Sequence, residues 1–244
     1  MIPKIIHYCW FGRKEMPNLA VRCIKTWKRY FPDYEIKEWN EDNFDVNIIP
    51  YTREAYAEKK FAFVSDYVRF YVLYHYGGIY LDTDVEVIKS FDDIIKRGPF
   101  MGVENEAGTG KLYVAPGLGC GCTSHHPVFY DLMNIYNGLH LKNNNNSNGI
   151  ALMTVVHYTT DYFEKYGLKD INGIQSISDV NIYPKEYFCP KGPNSDKCNI
   201  TTNTRSIHHY AASWYTWKTR LVIFIRKVLG ERFLTHLIKL KQMI

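Results

Sequence analysis

Long apolar runs are missing from this sequence. No stretch reaches the 18 or more apolar residues that a membrane-spanning helix requires. Pro3 and Lys4 lead straight into a short strand-like segment, without the apolar region of a secretory leader. The six cysteines, Cys9, Cys23, Cys120, Cys122, Cys189 and Cys198, contain no C-x-x-C pair, which removes the usual zinc-site spacing. Cys9 and Cys23 lie in core-like segments and read as buried thiols, whereas Cys189 and Cys198 flank a loop and would pair only in an oxidising compartment. No internal repeat and no second domain boundary is visible. The expectation is a reduced, cytoplasmic protein.

Excess charge is scarce too, and unevenly placed. The net charge is +5, yet residues 218–244 hold seven basic side chains against the single Glu231, so the rest of the chain is slightly acidic. A general nucleic-acid binder spreads its basic residues over the folded domain. No nucleic acid is therefore expected as a partner.

What is present is an apolar share of 46% with 16% aromatic residues, ample for the core of one α/β domain. Residues 3–9 read as a buried parallel strand. A helix beginning at Pro17-Asn18 puts Leu19, Cys23, Trp27 and Tyr30 on one face and stops near Pro32. Residues 34–39 alternate as a second strand, and a helix around residues 52–60 follows. Residues 61–76 are apolar nearly all round, which predicts a buried helix ended by Gly77. Residues 104–122 read as Gly-rich and irregular, and residues 143–148 as a polar loop; both are long enough to line or close over a cleft. The strand–helix alternation predicts a Rossmann-like α/β domain with a mostly parallel sheet and its ligand at the carboxyl edge.

The run Tyr76-Gly77-Gly78-Ile79-Tyr80-Leu81-Asp82-Thr83-Asp84 carries the most chemistry. Ile79, Leu81, Val85 and Val87 share one parity of an extended strand, and Asp82, Asp84 and Glu86 share the other. Aspartates on one side of a strand end can converge on a hard divalent cation and leave positions free for a ligand's phosphates. A solvated acidic turn is the plainer alternative. Upstream, Asp66 and Arg69 sit at i, i+3 on one helix face, either as an ion pair or as ligand contacts.

This run, with Ser65-Asp66-Tyr67-Val68-Arg69 before it, resembles the D-x-D sugar-binding region of glycosyltransferase family 32. Three further pieces resemble the family in order. They are Ile2-Pro3-Lys4-Ile5-Ile6-His7-Tyr8-Cys9-Trp10-Phe11-Gly12, then Trp27 with Pro32-Asp33-Tyr34, and finally Ile207-His208-His209-Tyr210-Ala211-Ala212-Ser213-Trp214, where Ala212 stands in place of the usual Gly. The resemblance implies a GT-A-type domain over residues 1–217, a nucleotide-sugar donor (a UDP-sugar), and Mn²⁺ or Mg²⁺. It implies a glycan or lipid-linked acceptor and transfer with retention. It assigns the metal to Asp84 and Asp82, with His209 as the candidate third ligand. Trp10 would stack on the base; Asp66, Tyr80 and Asp82 would take the donor's ribose and sugar. Arg69 would act with the two aspartates in catalysis, and Ser213 and Trp214 would close over the diphosphate. For Trp10 the alternative is simple core, and for His208 and His209 a pair of strand-end core histidines.

Two other function classes stay open. D-x-D also serves metal-dependent phosphohydrolases and nucleotidyltransferases, and a non-catalytic glycan-binding protein is the third reading. In residues 218–244, Val222, Ile225, Leu229, Phe233, Leu237, Leu240 and Ile244 recur at helical spacing among basic residues. This amphipathic helical tail either packs on the domain or lies on an anionic membrane surface.

Overall fold

Helix α3 (Phe61–Tyr76) organises the fold, because it is apolar on almost every side and is covered on almost every side. Val64, Tyr67, Val68, Phe70, Val72 and Leu73 are buried along it. Burying such a side chain contributes about 1.5–3 kcal/mol each. The helix ends where expected: Gly77 takes a left-handed φ of 64° and its N–H caps the Leu73 carbonyl at 2.9 Å. The protein is described by a computed structural model over residues 1–105, 111–141, 154–191 and 197–211.

The other helices are α1 (Asn18–Tyr30), α2 (Pro50–Ala57), α4 (Asp92–Ile95), α5 (Pro127–Asn134) and α6 (Val155–Lys165). The strands are β1 (Ile5–Cys9), β2 (Glu35–Trp39), β3 (Gly78–Tyr80), β4 (Val85–Val87), β5 (Phe100–Asn105), β6 (Leu112–Val114), β7 (Cys120–Cys122), β8 (Gln175–Ile177), β9 (Val180–Tyr183) and β10 (Ser206–His208). The main sheet has the order β2-β1-β3-β7-β5-β9-β8, with β6 paired to β5 off this path. Strands β2, β1, β3, β5 and β9 run one way, while β7 runs against both β3 and β5. Successive residues point to opposite faces, so Ile79 and Leu81 enter one apolar cluster with Trp27 of α1, and Tyr80 enters the other with α3. The sheet is thus covered on both faces, as expected for a Rossmann-like α/β architecture.

Two expectations need correction. Residues 79–87 are not one extended strand. β3 stops at Tyr80, because the Asp82 N–H bonds the Gly117 carbonyl (3.1 Å) instead of a ladder partner, and the Val85 N–H folds back on the Asp82 carbonyl (3.0 Å). The chain then leaves the main sheet, and β4 pairs antiparallel with β10. Ile79, Leu81, Val85 and Val87 nonetheless all enter the same cluster. Residues 104–122 are also not wholly irregular, since β6 and β7 lie within them. Glycine hides the strand: a Cβ on Gly121 would stand 2.7 Å from Phe100 Cε1 and 3.0 Å from the Gly78 carbonyl.

Two compact units divide the chain, Met1–Tyr210 and Ala211–Ile244. The expected tail, together with Ser213 and Trp214, falls outside the described residues. Among the described residues no helix is long and apolar enough to cross a membrane. All six cysteines are free, and the Cys189 thiol meets the Tyr210 hydroxyl at 2.8 Å.

Candidate active site

The Gly77-Gly78 turn sets the position of β3. Gly78 has φ 101°, and a Cβ there would meet the Ile5 carbonyl at 2.6 Å, so the turn lies hard against β1. From β1, His7 reaches across to it. Its Nε2 bonds the Gly77 carbonyl at 2.8 Å, while Trp39 Nε1 donates to His7 Nδ1 at 3.0 Å. Trp39 can only donate, so Nδ1 is the acceptor and Nε2 carries the proton. Burial holds this imidazole down at about 4, with the Gly77 bond opposing and the Lys37 charge adding to the effect.

At the carboxyl end of β3 the 82–85 turn brings the two aspartates together. Asp82, Asp84 and His208 each offer a ligand atom, all within 4.8 Å of one another. His208 arrives from β10, whose pairing with β4 sets it opposite Val85. Its Nε2 lies 3.1 Å from Asp84 Oδ1, and its Nδ1 is buried without a partner. Burial pulls the His208 pKa down, but Asp84 beside it, with Asp82 and Glu104 behind, leaves it above the ordinary value. His209 points elsewhere, with Nε2 2.8 Å from Glu86 Oε2. The structure therefore brings His208, not His209, to the aspartates.

Behind Asp82 lies a buried ion-pair chain. Arg69 is 4% exposed, with Nη2 3.1 Å from Asp66 Oδ1 and 3.4 Å from Asp82 Oδ1. Its guanidinium carbon sits 5.1 Å from the centre of the Tyr80 ring. Its Nε is buried with no partner, as is the hydroxyl of Tyr136. Burial pushes the Asp66 carboxyl up to about 6, against the pull of Arg69. Asp66 and Arg69 thus form an ion pair, and Arg69 also touches the first aspartate of the D-x-D triplet.

Trp10 follows β1 and is half-buried. Its N–H bonds the Trp39 carbonyl, and its indole Nε1 donates to the Lys14 carbonyl at 2.5 Å. The ring edge is therefore fixed while part of the ring stays open. Tyr210, not singled out from the sequence, completes the rim. Its ring packs edge-on at 4.2 Å from that of His208, and its hydroxyl donates to Glu104 at 2.7 Å. The arrangement can do two things chemically. Two carboxylates and an imidazole can ligate a divalent cation, and a buried guanidinium beside them can orient an anionic or hydroxyl-bearing ligand.

Residues 17–101 match the family described as glycosyltransferase sugar-binding region containing DXD motif. That span holds Asp66, Arg69, Tyr80, Asp82 and Asp84, and leaves out Trp10 and His208. An uncharacterized glycosyltransferase of Acanthamoeba polyphaga mimivirus is 26% identical over 226 residues, covering 88% of this chain and 84% of that protein. Inositol phosphoceramide mannosyltransferase 3 of Schizosaccharomyces pombe is 35% identical over 98 residues, 38% of this chain but only 27% of the yeast protein's length. In fold, the chain is similar to the solved PaToxG glycosyltransferase, with a TM-score of 0.52 at 19% identity, covering 67% of this chain and 70% of that one. The D-x-D region of this chain thus matches that of a glycosyltransferase family, and proteins named as glycosyltransferases are among its relatives.

Proposed function

We propose that this chain is a metal-dependent glycosyltransferase that moves a sugar from a nucleotide-sugar, a UDP-sugar, to a glycan or lipid-linked acceptor with retention. The observation that carries this reading is the meeting of Asp82, Asp84 and His208 within 4.8 Å at the end of β3. Oxygen and imidazole donors suit Mn²⁺ or Mg²⁺, and His208 turns its Nε2 to the aspartates, 3.1 Å from Asp84 Oδ1. Asp84 and His208 would hold the ion, and Asp82 would take the ribose hydroxyls and reach the ion through water. When bound, the ion supplies Lewis-acid neutralisation of the departing diphosphate.

The chain's own groups do the rest. Arg69, braced by Asp66, holds Asp82 and would orient the donor's sugar beside it. Trp10 offers a ring anchored at its edge for the base. The test is a screen of nucleotide-sugars with and without Mn²⁺, read by thermal unfolding. A donor at a hundred times its Kd stabilises the protein by about 2.7 kcal/mol. Asp84→Asn should keep the fold and lose Mn²⁺-dependent donor turnover by orders of magnitude. Unchanged turnover at limiting Mn²⁺ would sink the reading.

We place the acceptor at the cytoplasmic face of an anionic membrane, approached through the basic residues 218–244. One relative is named for inositol phosphoceramide, a lipid, which supports an acceptor of this class. Each basic residue near such a surface is worth about 1 kcal/mol. Protein that fails to sediment with anionic vesicles at low salt would end the membrane part alone.

A further inference from the structure

Asp82 is gripped from two sides, and only one of them is charged. Arg69 meets Oδ1 at 3.4 Å. On the other side stands Gly117, in the short 3-10 turn Pro116–Leu118 between β6 and β7. Its carbonyl accepts the Asp82 N–H at 3.1 Å. A Cβ built on Gly117 would lie 2.9 Å from the Asp82 carboxyl carbon and closer still to Oδ2. Among the described residues, the three atoms nearest to that Cβ all belong to the Asp82 carboxylate.

The backbone supplies no other reason for glycine here. Gly117 does not have a left-handed φ, whereas its neighbour Gly119 does, at 147°. A side chain at residue 119 is strained whatever surrounds it. At residue 117 φ is not left-handed, and the nearest obstacle among the described residues is Asp82. The turn is also held firmly. Pro116, Gly117 and Leu118 are buried, and the Ala115 N–H bonds the Gly102 carbonyl at 2.9 Å. A clash would therefore move the exposed end of Asp82, whose side chain is 30% exposed, before it moved the turn.

We propose that Gly117 is a positioning residue for Asp82: the absence of a side chain there is what lets the carboxylate stand between Arg69 and the cation site. The consequence for the ion and the donor rests on the function proposed above; the steric coupling of the two residues does not. With a methyl group at residue 117 the carboxylate turns away from Asp84 and His208, and the cluster of these three side chains opens.

The test compares Gly117→Ala with and without Asp82→Ala, and uses Gly119→Ala as the contrast. Unfolding midpoints and binding of Mn²⁺ alone, followed by electron paramagnetic resonance, are read for each. With Asp82 present, Gly117→Ala should lower the midpoint by several degrees and weaken Mn²⁺ binding by about tenfold or more, at least one 1.4 kcal/mol step. With Asp82→Ala, the same change should cost no stability, because the methyl group has nothing to strike. Gly119→Ala should cost the same in both backgrounds. If Gly117→Ala alone fails to fold, recovery in the double variant supports the coupling, and a double variant that also fails to fold overturns it. Equal stability losses in both backgrounds, or wild-type Mn²⁺ affinity in Gly117→Ala, would likewise overturn it. Wild-type protein that bound no Mn²⁺ would refute the metal-dependent function, while the paired midpoints would still decide whether Gly117 acts through Asp82.

Discussion

Acid should loosen this protein through His7. The imidazole is 0% exposed and both nitrogens are committed, Nδ1 as acceptor from Trp39 and Nε2–H as donor to the Gly77 carbonyl. A second proton would set two donors face to face at Trp39, in a site closed to bulk solvent. Burial first, then the Lys37 charge, hold the pKa at about 4 against the bond to Gly77. An unfolded histidine titrates near 6.5, so the folded form takes its proton late. The sign follows from this depression. The stability contributed by neutral His7 is fully present above about pH 6.5 and is lost as pH falls toward 4. The gap between the two pKa values corresponds to about 3 kcal/mol, a large share of the net stability of an ordinary domain. His7→Gln keeps one donor and one acceptor and does not titrate. Urea unfolding of both proteins at about pH 7 and about pH 4.5 separates the cases, with the wild type losing about 2.5 kcal/mol more than the variant across that range. Parallel losses in the two proteins would refute the assignment. Because the bond to Gly77 fixes the start of β3, the same acid range should also weaken whatever binds at Asp82.

Further predictions concern the site itself. His208→Ala should abolish Mn²⁺ binding, while His209→Ala, which frees only Glu86, should leave it nearly intact; Mn²⁺ titration of the two variants decides, and the reverse order would restore His209 as the ligand. Arg69→Met leaves the Asp66 carboxyl buried without its partner, at a cost of about 3–5 kcal/mol near neutral pH. Since burial already raises the Asp66 pKa to about 6, and losing Arg69 raises it further, protonation relieves the variant. Its deficit should shrink as pH falls toward 4 and should largely vanish with Asp66→Asn in the same chain. Denaturant unfolding that showed a pH-independent deficit, unaffected by Asp66→Asn, would contradict the ion-pair account.

Much of the fold was legible because its longest elements have strong periodic or uniform patterns. Helix α3 announced itself by sixteen residues with almost no polar face, and Gly77 marked its end. The D-x-D region was half legible. Period-two alternation correctly sent Ile79, Leu81, Val85 and Val87 to one cluster, yet could not show that a turn at 82–85 divides them. The turn depends on the Gly117 carbonyl, distant in sequence, and a single glycine in a Gly-rich stretch carries no readable sign of what it must avoid. Strand β7 escaped notice for the same reason, since the glycine that lets Phe100 pack closely also removes strand propensity.

The choice between His208 and His209 shows where pattern reading stops. Ile207 is buried, and alternation along a strand then places Ser206 and His208 together on the opposite face. That much could have been drawn from the sequence. It says nothing of which face the aspartates occupy. The answer comes from the register of β10 on β4, Ser206 against Val87 and His208 against Val85, which seats His208 beside the turn that precedes Val85. The register is itself anchored outside the strands. The Arg205 carbonyl accepts the Ile88 N–H at 2.8 Å, and its guanidinium clasps Asp93 at 2.6 Å and 3.2 Å. A one-residue slip would turn His208 away and bring His209 toward Asp84. Which histidine faces the aspartates therefore rests on the β10–β4 register, which the Arg205–Asp93 ion pair flanks.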